Sequence, residues 1–305
     1  MSTRPSAFVL RFSDGLGNQL FQYAFARMHT HQSGLPLLHD LSWYQSTSAR
    51  DDRPFLMGHY RITGREWTPE EARVLPPSQR WLTGRLRHLA GLAPLLRGQH
   101  LYAESVSYLL KHCNSYHPKW MVNRGPGFAS GYFTAHQYAD SIRDLLLREL
   151  QPVTPYSEDT LKLAAQLRDE ESVCVCFRRG DYAKLPQFGV LNERYYDSAF
   201  ALLKARVTKP KFYLFSDNHA AAHATLAKHD PDKALWPNMD RPTPETLFLM
   251  SQCKHYILAN STFGWWAAWM GQQPDSTIIH PNKWFLGLNK AYSHMFPPSW
   301  QSVPV

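Results

Sequence analysis

A chain of 305 residues with 44% hydrophobic and 13% aromatic side chains can bury a sizeable core and has room for about two domains, which excludes a disordered or low-complexity protein. The start, "MSTRPSAFVLRF", has no apolar run behind a basic stretch, and no run of roughly 18 apolar residues occurs, so a cytoplasmic chain without a membrane span is expected. The formal charge of +8 points to anionic partners: nucleotides, nucleic acid or a lipid surface. Cys113, Cys174, Cys176 and Cys253 form neither a disulfide framework nor a zinc pattern, and are expected as reduced thiols.

In chain order, "AFVLRF" (Ala7 to Phe12) reads as a short buried strand. Asp14-Gly15 marks a turn, and Leu16 to Thr30 carries helix formers up to Gly34. Leu35 to Asp40 is a second strand. From Leu41 to about Gly131 the sequence mixes prolines, tryptophans and arginines, with one helix expected near Ser78 to Leu92. Ala135 to Leu150 reads as a single helix that stops before Pro152. The polar, proline-bearing stretch "QPVTPYSE" (Gln151 to Glu158) predicts a boundary between domains 1–152 and 153–305.

Beyond it the rhythm is regular. Ser157 caps a helix to about Asp169, followed by a strand Ser172 to Phe177, a loop, and a helix Asn192 to Val207. A strand Lys211 to Asp217, a helix from Ala220 to Lys228 and a helix from Thr243 to near Cys253 come next. "HYILAN", "STFGWWAAWMG" and "STIIHP" then add strand, helix and strand. Strands that alternate with helices and are apolar on both faces imply an α/β, Rossmann-like fold with a parallel sheet.

Two features at strand ends carry chemistry. In an open parallel sheet, ligands sit beyond the carboxyl ends of the strands. Arg178 and Arg179 of "VCVCFRRGDYAK" sit at such an end, and alternation sends them to opposite faces. Gly180 lets the chain turn, and Asp181 is expected to pair with one of the arginines. A surface salt bridge is the plainer explanation of an Arg-Asp pair at a strand end. The second feature is Asn260-Ser261-Thr262, which follows a strand and opens a helix, where backbone N–H groups and the helix dipole favour an anion. Simple capping is the plainer explanation there, and Trp265, Trp266 and Trp269 read as core. Two anion sites on one sheet suggest a diphosphate, and a nucleotide fits it.

"DGLGNQLFQYAFAR" (Asp14 to Arg27), "CFRRGDY" (Cys176 to Tyr182), "FSD" (Phe215 to Asp217) and "NSTFGWWAAW" (Asn260 to Trp269) together resemble, in order and spacing, the α-1,2-fucosyltransferases of glycosyltransferase family 11. The resemblance implies a GT-B-like fold of two Rossmann-like domains with the active site in the cleft between them. It also implies GDP-fucose as donor, a terminal β-galactoside as acceptor, inversion at the anomeric carbon and no required metal or cofactor. Carried over by position, Arg178 matches the arginine assigned to the donor's β-phosphate. Asn18, with Gly17 and Gln19, matches the GGLGNQ loop facing the donor sugar, and Arg178 and Asn18 are the expected catalytic residues. Ser261, Thr262 and Phe263 match the segment expected at the diphosphate and nucleoside, beside Asn260, while Asp217 matches the start of FSDD near the nucleotide. Cys176 and Asp181 complete the expected donor set. Three departures stand out: Cys176 replaces a histidine, Asp14 the first glycine of GGLGNQ, and Asn218 the second aspartate of FSDD.

The arginine-rich fork and helix terminus offer what a leaving diphosphate needs in place of a metal. Asp230-Pro231-Asp232 resembles a metal-binding DxD but reads as a polar loop, and His219 with His223, spaced as a metal pair, lacks a third ligand. Expected partners are GDP-fucose and a galactose-terminated glycan or lipid-linked oligosaccharide, with contact to anionic lipid at the cytoplasmic face of a membrane. The alternatives are a non-catalytic carbohydrate-binding protein, suggested by ten tryptophans, and a nucleic-acid or polyanion binder, suggested by charge. No nucleic-acid-binding fingerprint supports the latter.

Overall fold

The computed structural model describes residues 7–45, 53–68, 71, 100–103, 116–180, 188–229, 241–286 and 293–305. The chain divides into two compact units, Met1–Val153 and Thr154–Val305. Each is built on a five-stranded sheet in which every strand pairing is parallel.

The first unit runs β1 (Phe8–Arg11), α1 (Leu16–Ser33), β2 (Leu37–Asp40), β3 (Arg65–Glu66), β4 (His100–Ala103), α2 (Pro118–Val122), β5 (Gly127–Ser130), α3 (His136–Asp140) and α4 (Arg143–Glu149). The sheet order is β3-β2-β1-β5-β4. β1 and β2 are buried along their whole length, which is why their sequences show no polar alternation. Gly34 ends α1 in the left-handed region (φ 71°) and donates its N–H to the Thr30 carbonyl at 2.9 Å. The single helix expected over 135–150 is broken. Ile142 leaves helical geometry, with φ −135° and ψ 32°, and the Ser141 hydroxyl donates back to the Tyr138 carbonyl at 2.9 Å. A serine hydroxyl there competes with the backbone ladder, and burial of Ile142 fixes the resulting bend. The helix expected near Ser78 to Leu92 lies outside the described residues.

The second unit runs α5 (Glu158–Asp169), β6 (Ser172–Phe177), α6 (Glu193–Lys204), β7 (Lys211–Ser216), α7 (His219–Leu226), α8 (Thr243–Met250), β8 (His255–Ile257), α9 (Thr262–Gly271), β9 (Ile278–Pro281) and β10 (Gln301–Val303). Side-chain caps start three of the helices: Ser157 accepts from the Thr160 N–H, Asn192 from that of Tyr195 and Asn218 from that of Ala221. At α8, Pro242 rather than Thr243 stands at the cap, without a side-chain bond. Trp265, Trp266 and Trp269 of α9 are fully buried, so the tryptophan cluster is core.

The strand order β10-β9-β8-β6-β7 reverses between β6 and β8. In the first sheet the reversal falls between β1 and β5. Crevices at such reversals, beyond the carboxyl ends of the strands, are where open α/β sheets take ligands.

Candidate active site

In the second unit β6 lies between β7 and β8, with Phe177 opposite Ser216 and Val175 opposite Ile257. Carried past the last pairs, that register sets Arg178 between Asp217 on one side and Asn260 on the other. The pairing with β7 therefore brings Arg178 beside Asp217, and the register with β8, continued past Ile257, runs toward Asn260, residues that the sequence spreads over 83 positions. Two buried tyrosines of α6 fix the strand ends beneath them. The Tyr196 hydroxyl donates to the Cys176 carbonyl at 3.0 Å and the Tyr195 hydroxyl to the Leu258 carbonyl at 2.5 Å. Burial pushes both phenols well up, so they remain donors.

Arg178 leaves the strand half-buried, and one of its terminal nitrogens lies 3.0 Å from Asp217 Oδ2. The other carboxylate oxygen, Oδ1, accepts the Arg179 N–H at 2.9 Å. Asp217 is thus a carboxylate partner of Arg178 that the sequence did not suggest; Asp181, expected to pair with one of the arginines, lies outside the described residues. Arg179 itself is exposed, and it is its backbone that Asp217 holds.

Asn260 is 1% exposed. Its Nδ2 donates to the Phe188 carbonyl at 3.1 Å and the Trp284 carbonyl at 3.0 Å. It therefore joins the end of the loop that begins at Arg178 to the segment after β9. The same junction is reinforced by the Leu286 N–H donating to the Phe188 carbonyl at 3.2 Å and by a Phe188–Phe285 ring contact. Gly189, in the left-handed region at φ 65°, leaves no room for a side chain, because a Cβ would lie 2.7 Å from that of Leu286. Asn260 is thus a clamp, a role the sequence did not reveal.

Next to it, Ser261 caps α9 through its backbone only, in extended geometry and with no side-chain hydrogen bond. The hydroxyl is not spent on the first turn, so capping does not account for this serine. Ser261, Thr262 and Phe263 are all partly exposed. N–H groups at the start of α9 have no intrahelical acceptor, and with the helix dipole they form an anion-attracting end. Cys176 is 5% exposed, its Sγ 3.8 Å from that of Cys174. Gly264 of α9 passes so close that a Cβ there would lie 2.9 Å from the Cys176 sulfur. Cys176, expected in the donor set, thus lies on a strand buried on both faces and packs under α9.

In the first unit, Asp14 occupies the left-handed region (φ 67°). A glycine would adopt that conformation freely, which gives a physical reason for the glycine the resemblance places there. The aspartate is held by its own bonds. Oδ1 accepts the Gly15 N–H at 2.9 Å and pairs with Arg53, and Oδ2 accepts the Tyr132 hydroxyl at 3.0 Å. Gln19 is 0% exposed and gives its amide to the Asp14 and Pro54 carbonyls, at 2.8 and 2.9 Å, while its oxygen accepts the Leu56 N–H at 2.9 Å. The carboxamide of this expected donor-site residue is thus engaged by three backbone groups. Gly17 is buried; Asn18 is half-buried, and its carboxamide has no partner among the described residues.

The sequence model of glycosyl transferase family 11 matches residues 112–303. The chain belongs to that family. It is 31% identical to the Escherichia coli O-antigen biosynthesis glycosyltransferase WbnK, over 94% of this chain and 97% of that one. An Escherichia coli alpha-1,2-colitosyltransferase is 26% identical over 92% of this chain and 93% of its own. A solved structure, a variant of Arabidopsis thaliana FUT1 in complex with GDP, matches with a TM-score of 0.53 at 11% identity, covering 93% of this chain and 72% of that one. Two parallel α/β sheets and this likeness give the family 11 chain the expected GT-B-like fold class.

Of the motifs that pointed to metals, His219 and His223 of the family 11 chain are both exposed, and among the described residues no group of three or more His, Cys, Asp or Glu is placed to hold an ion. Asp230 and Asp232 lie outside those residues. Asn218, the departure from FSDD, is accounted for as the cap of α7, with Oδ1 accepting the Ala221 N–H at 2.9 Å. Among the described residues no helix is long and apolar enough to cross a membrane.

Proposed function

We propose that this family 11 glycosyltransferase moves L-fucose from GDP-β-L-fucose to the 2-hydroxyl of a terminal β-galactoside, with inversion and without a metal. The observation that carries the reading is Arg178 at the reversal of strand order, set by register between Asp217 and the start of α9. As the acceptor oxygen bonds to the anomeric carbon, the bond from that carbon to the β-phosphate oxygen breaks, the electron pair leaves on GDP, and the hydroxyl proton passes to a base and from there to solvent. That charge needs donors aimed where it develops. A guanidinium fork binds phosphate oxygens in pairs, and the first N–H groups of α9 add a second set. Asn18, with its carboxamide unengaged among the described residues, is the residue of the GGLGNQ-like loop that would meet the donor sugar.

The acceptor fits a surface-polysaccharide or lipid-linked intermediate made at the cytoplasmic face of a membrane. In support, WbnK, similar along nearly its whole length, is named for O-antigen biosynthesis. The test is calorimetric binding of GDP, GMP and an oligonucleotide, followed by incubation of the chain with a β-galactoside and either GDP-fucose or GDP-colitose. GDP is expected to bind more tightly than GMP, and NMR of the product to show fucose on the galactose 2-position. Preference for the oligonucleotide would overturn the donor reading, and transfer from GDP-colitose alone would replace the donor sugar.

A further inference from the structure

We propose that Asp217 is a positioning residue, which aims the Arg178 guanidinium at the leaving diphosphate rather than touching the nucleotide itself; this rests on the donor reading above. Both oxygens of its carboxylate are committed to the loop that follows β6. Oδ2 holds Arg178 at 3.0 Å, and Oδ1 holds the backbone N–H of Arg179 at 2.9 Å. A guanidinium is planar, so holding one terminal nitrogen restricts the orientations open to the remaining donors. The loop also passes close to the carboxylate at Gly180. A Cβ on Gly180 would lie 2.3 Å from Oδ2, so only glycine leaves the carboxylate where it is.

The groups behind Asp217 make it a firm anchor. Ser216 Oγ accepts the Asn218 N–H at 2.9 Å, and Asn218 caps α7 with its side chain turned to the Ala221 N–H. The carboxylate thus sits between the end of a buried strand and the start of a capped helix. Its charge also decides its role. A carboxylate beside a diphosphate repels it, whereas a carboxylate behind the arginine orients a cation and leaves the phosphate to that cation. The family resemblance puts this aspartate near the nucleotide; the geometry makes its action indirect, through Arg178.

The two assignments differ in one measurable respect. A nucleoside contact acts on GMP and GDP alike, whereas a residue that aims Arg178 at the β-phosphate acts on GDP alone. Asp217→Asn keeps an oxygen for the Arg179 N–H and removes the charge. GDP is expected to bind about tenfold more weakly and turnover to fall by a similar factor, as for a hydrogen bond to a charged group, with GMP affinity unchanged. Gly180→Ala, which displaces the carboxylate without altering it, is expected to give the same split. It keeps the test open should Asp217→Asn fold poorly. Adding Asp217→Asn to Arg178→Lys is expected to cost little more than Arg178→Lys alone, because both act through one group. An equal loss of GMP and GDP affinity, or losses that multiply in the double variant, would overturn the proposal. Should the unaltered protein bind GDP no more tightly than GMP, the donor reading itself falls, and this proposal with it.

Discussion

The two units use one architecture to opposite ends. In both, a five-stranded parallel sheet reverses its order beside a strand that runs into a loop and helix, and in both that helix starts without a side-chain cap. In the first unit the loops at the reversal bind each other: Tyr132 donates to Asp14, and Gln22 donates to both Ser13 and Gly131. In the second unit the polar groups hold the loops from the sides, Asp217 on Arg178 and the Arg179 N–H at one edge and Asn260 on the Phe188 and Trp284 carbonyls at the other. One crest satisfies its own polar groups; the other frames a cation. The difference teaches that a motif's chemistry is decided by what its side chains already hold.

The largest expected effect tests the framed cation. Arg178→Lys keeps the charge but removes the fork, and turnover should fall by about 10²-fold or more at saturating donor with the melting temperature nearly unchanged. Arg179→Lys should alter neither much, because the loop is held by the Arg179 backbone and its side chain is exposed. Near-native turnover in Arg178→Lys, with a dead but folded Arg179→Lys, would move the phosphate contact one residue along the chain.

The self-satisfied crest is tested by neighbours in sequence. Gln19→Ala removes the carboxamide from the Pro54 carbonyl and the Leu56 N–H and leaves the Asp14 carbonyl to Tyr44 alone, and should destabilise the protein by about 2–4 kcal/mol, read as a lowered urea midpoint. Asn18→Ala should leave that midpoint in place and lower turnover by about tenfold or more. If the two variants exchange these phenotypes, the carboxamide roles are reversed.

A smaller effect is shared by both units. His39 in the first and His280 in the second are buried and held neutral, each with its pKa lowered by burial to about 4. The unfolded chain takes up these protons first, near pH 6.5. The stability from each neutral ring is therefore full above that pH and declines as pH falls toward about 4, by up to roughly 3 kcal/mol per histidine. His280→Phe, which keeps a ring against Phe296, should lose less stability across that interval than the unaltered protein. Identical pH profiles would remove His280 from the account. The smallest expected effect is none: with Arg178 and the start of α9 to neutralise the diphosphate, transfer should survive excess EDTA. Loss on chelation, restored by manganese, would turn attention to Asp230 and Asp232.

The strands were legible where burial on both faces makes them uniformly apolar: β6 spans Ser172–Phe177, as its apolar run indicates. The strands β5 and β10 were not, because Gly127–Ser130 and Gln301–Val303 carry little apolar signal and are defined by pairing with β1 and β9. Arg178 was legible as a strand-end cation before a glycine. The clamp roles of Gln19 and Asn260 were not, since a carboxamide gives no sign in sequence of which carbonyl it will meet.

The sequence by itself determined the alternation of strands and helices, the family, and the residue types at the second crest, because periodicity and ordered motifs are local properties of the chain. Only the tertiary structure decided which polar groups are spent. Register set Asp217 beside Arg178, 39 positions on, and the close approach of Gly264 put Cys176 under α9. Those outcomes follow from which strands pair and how closely a helix lies on them, and distance along the chain carries no record of either.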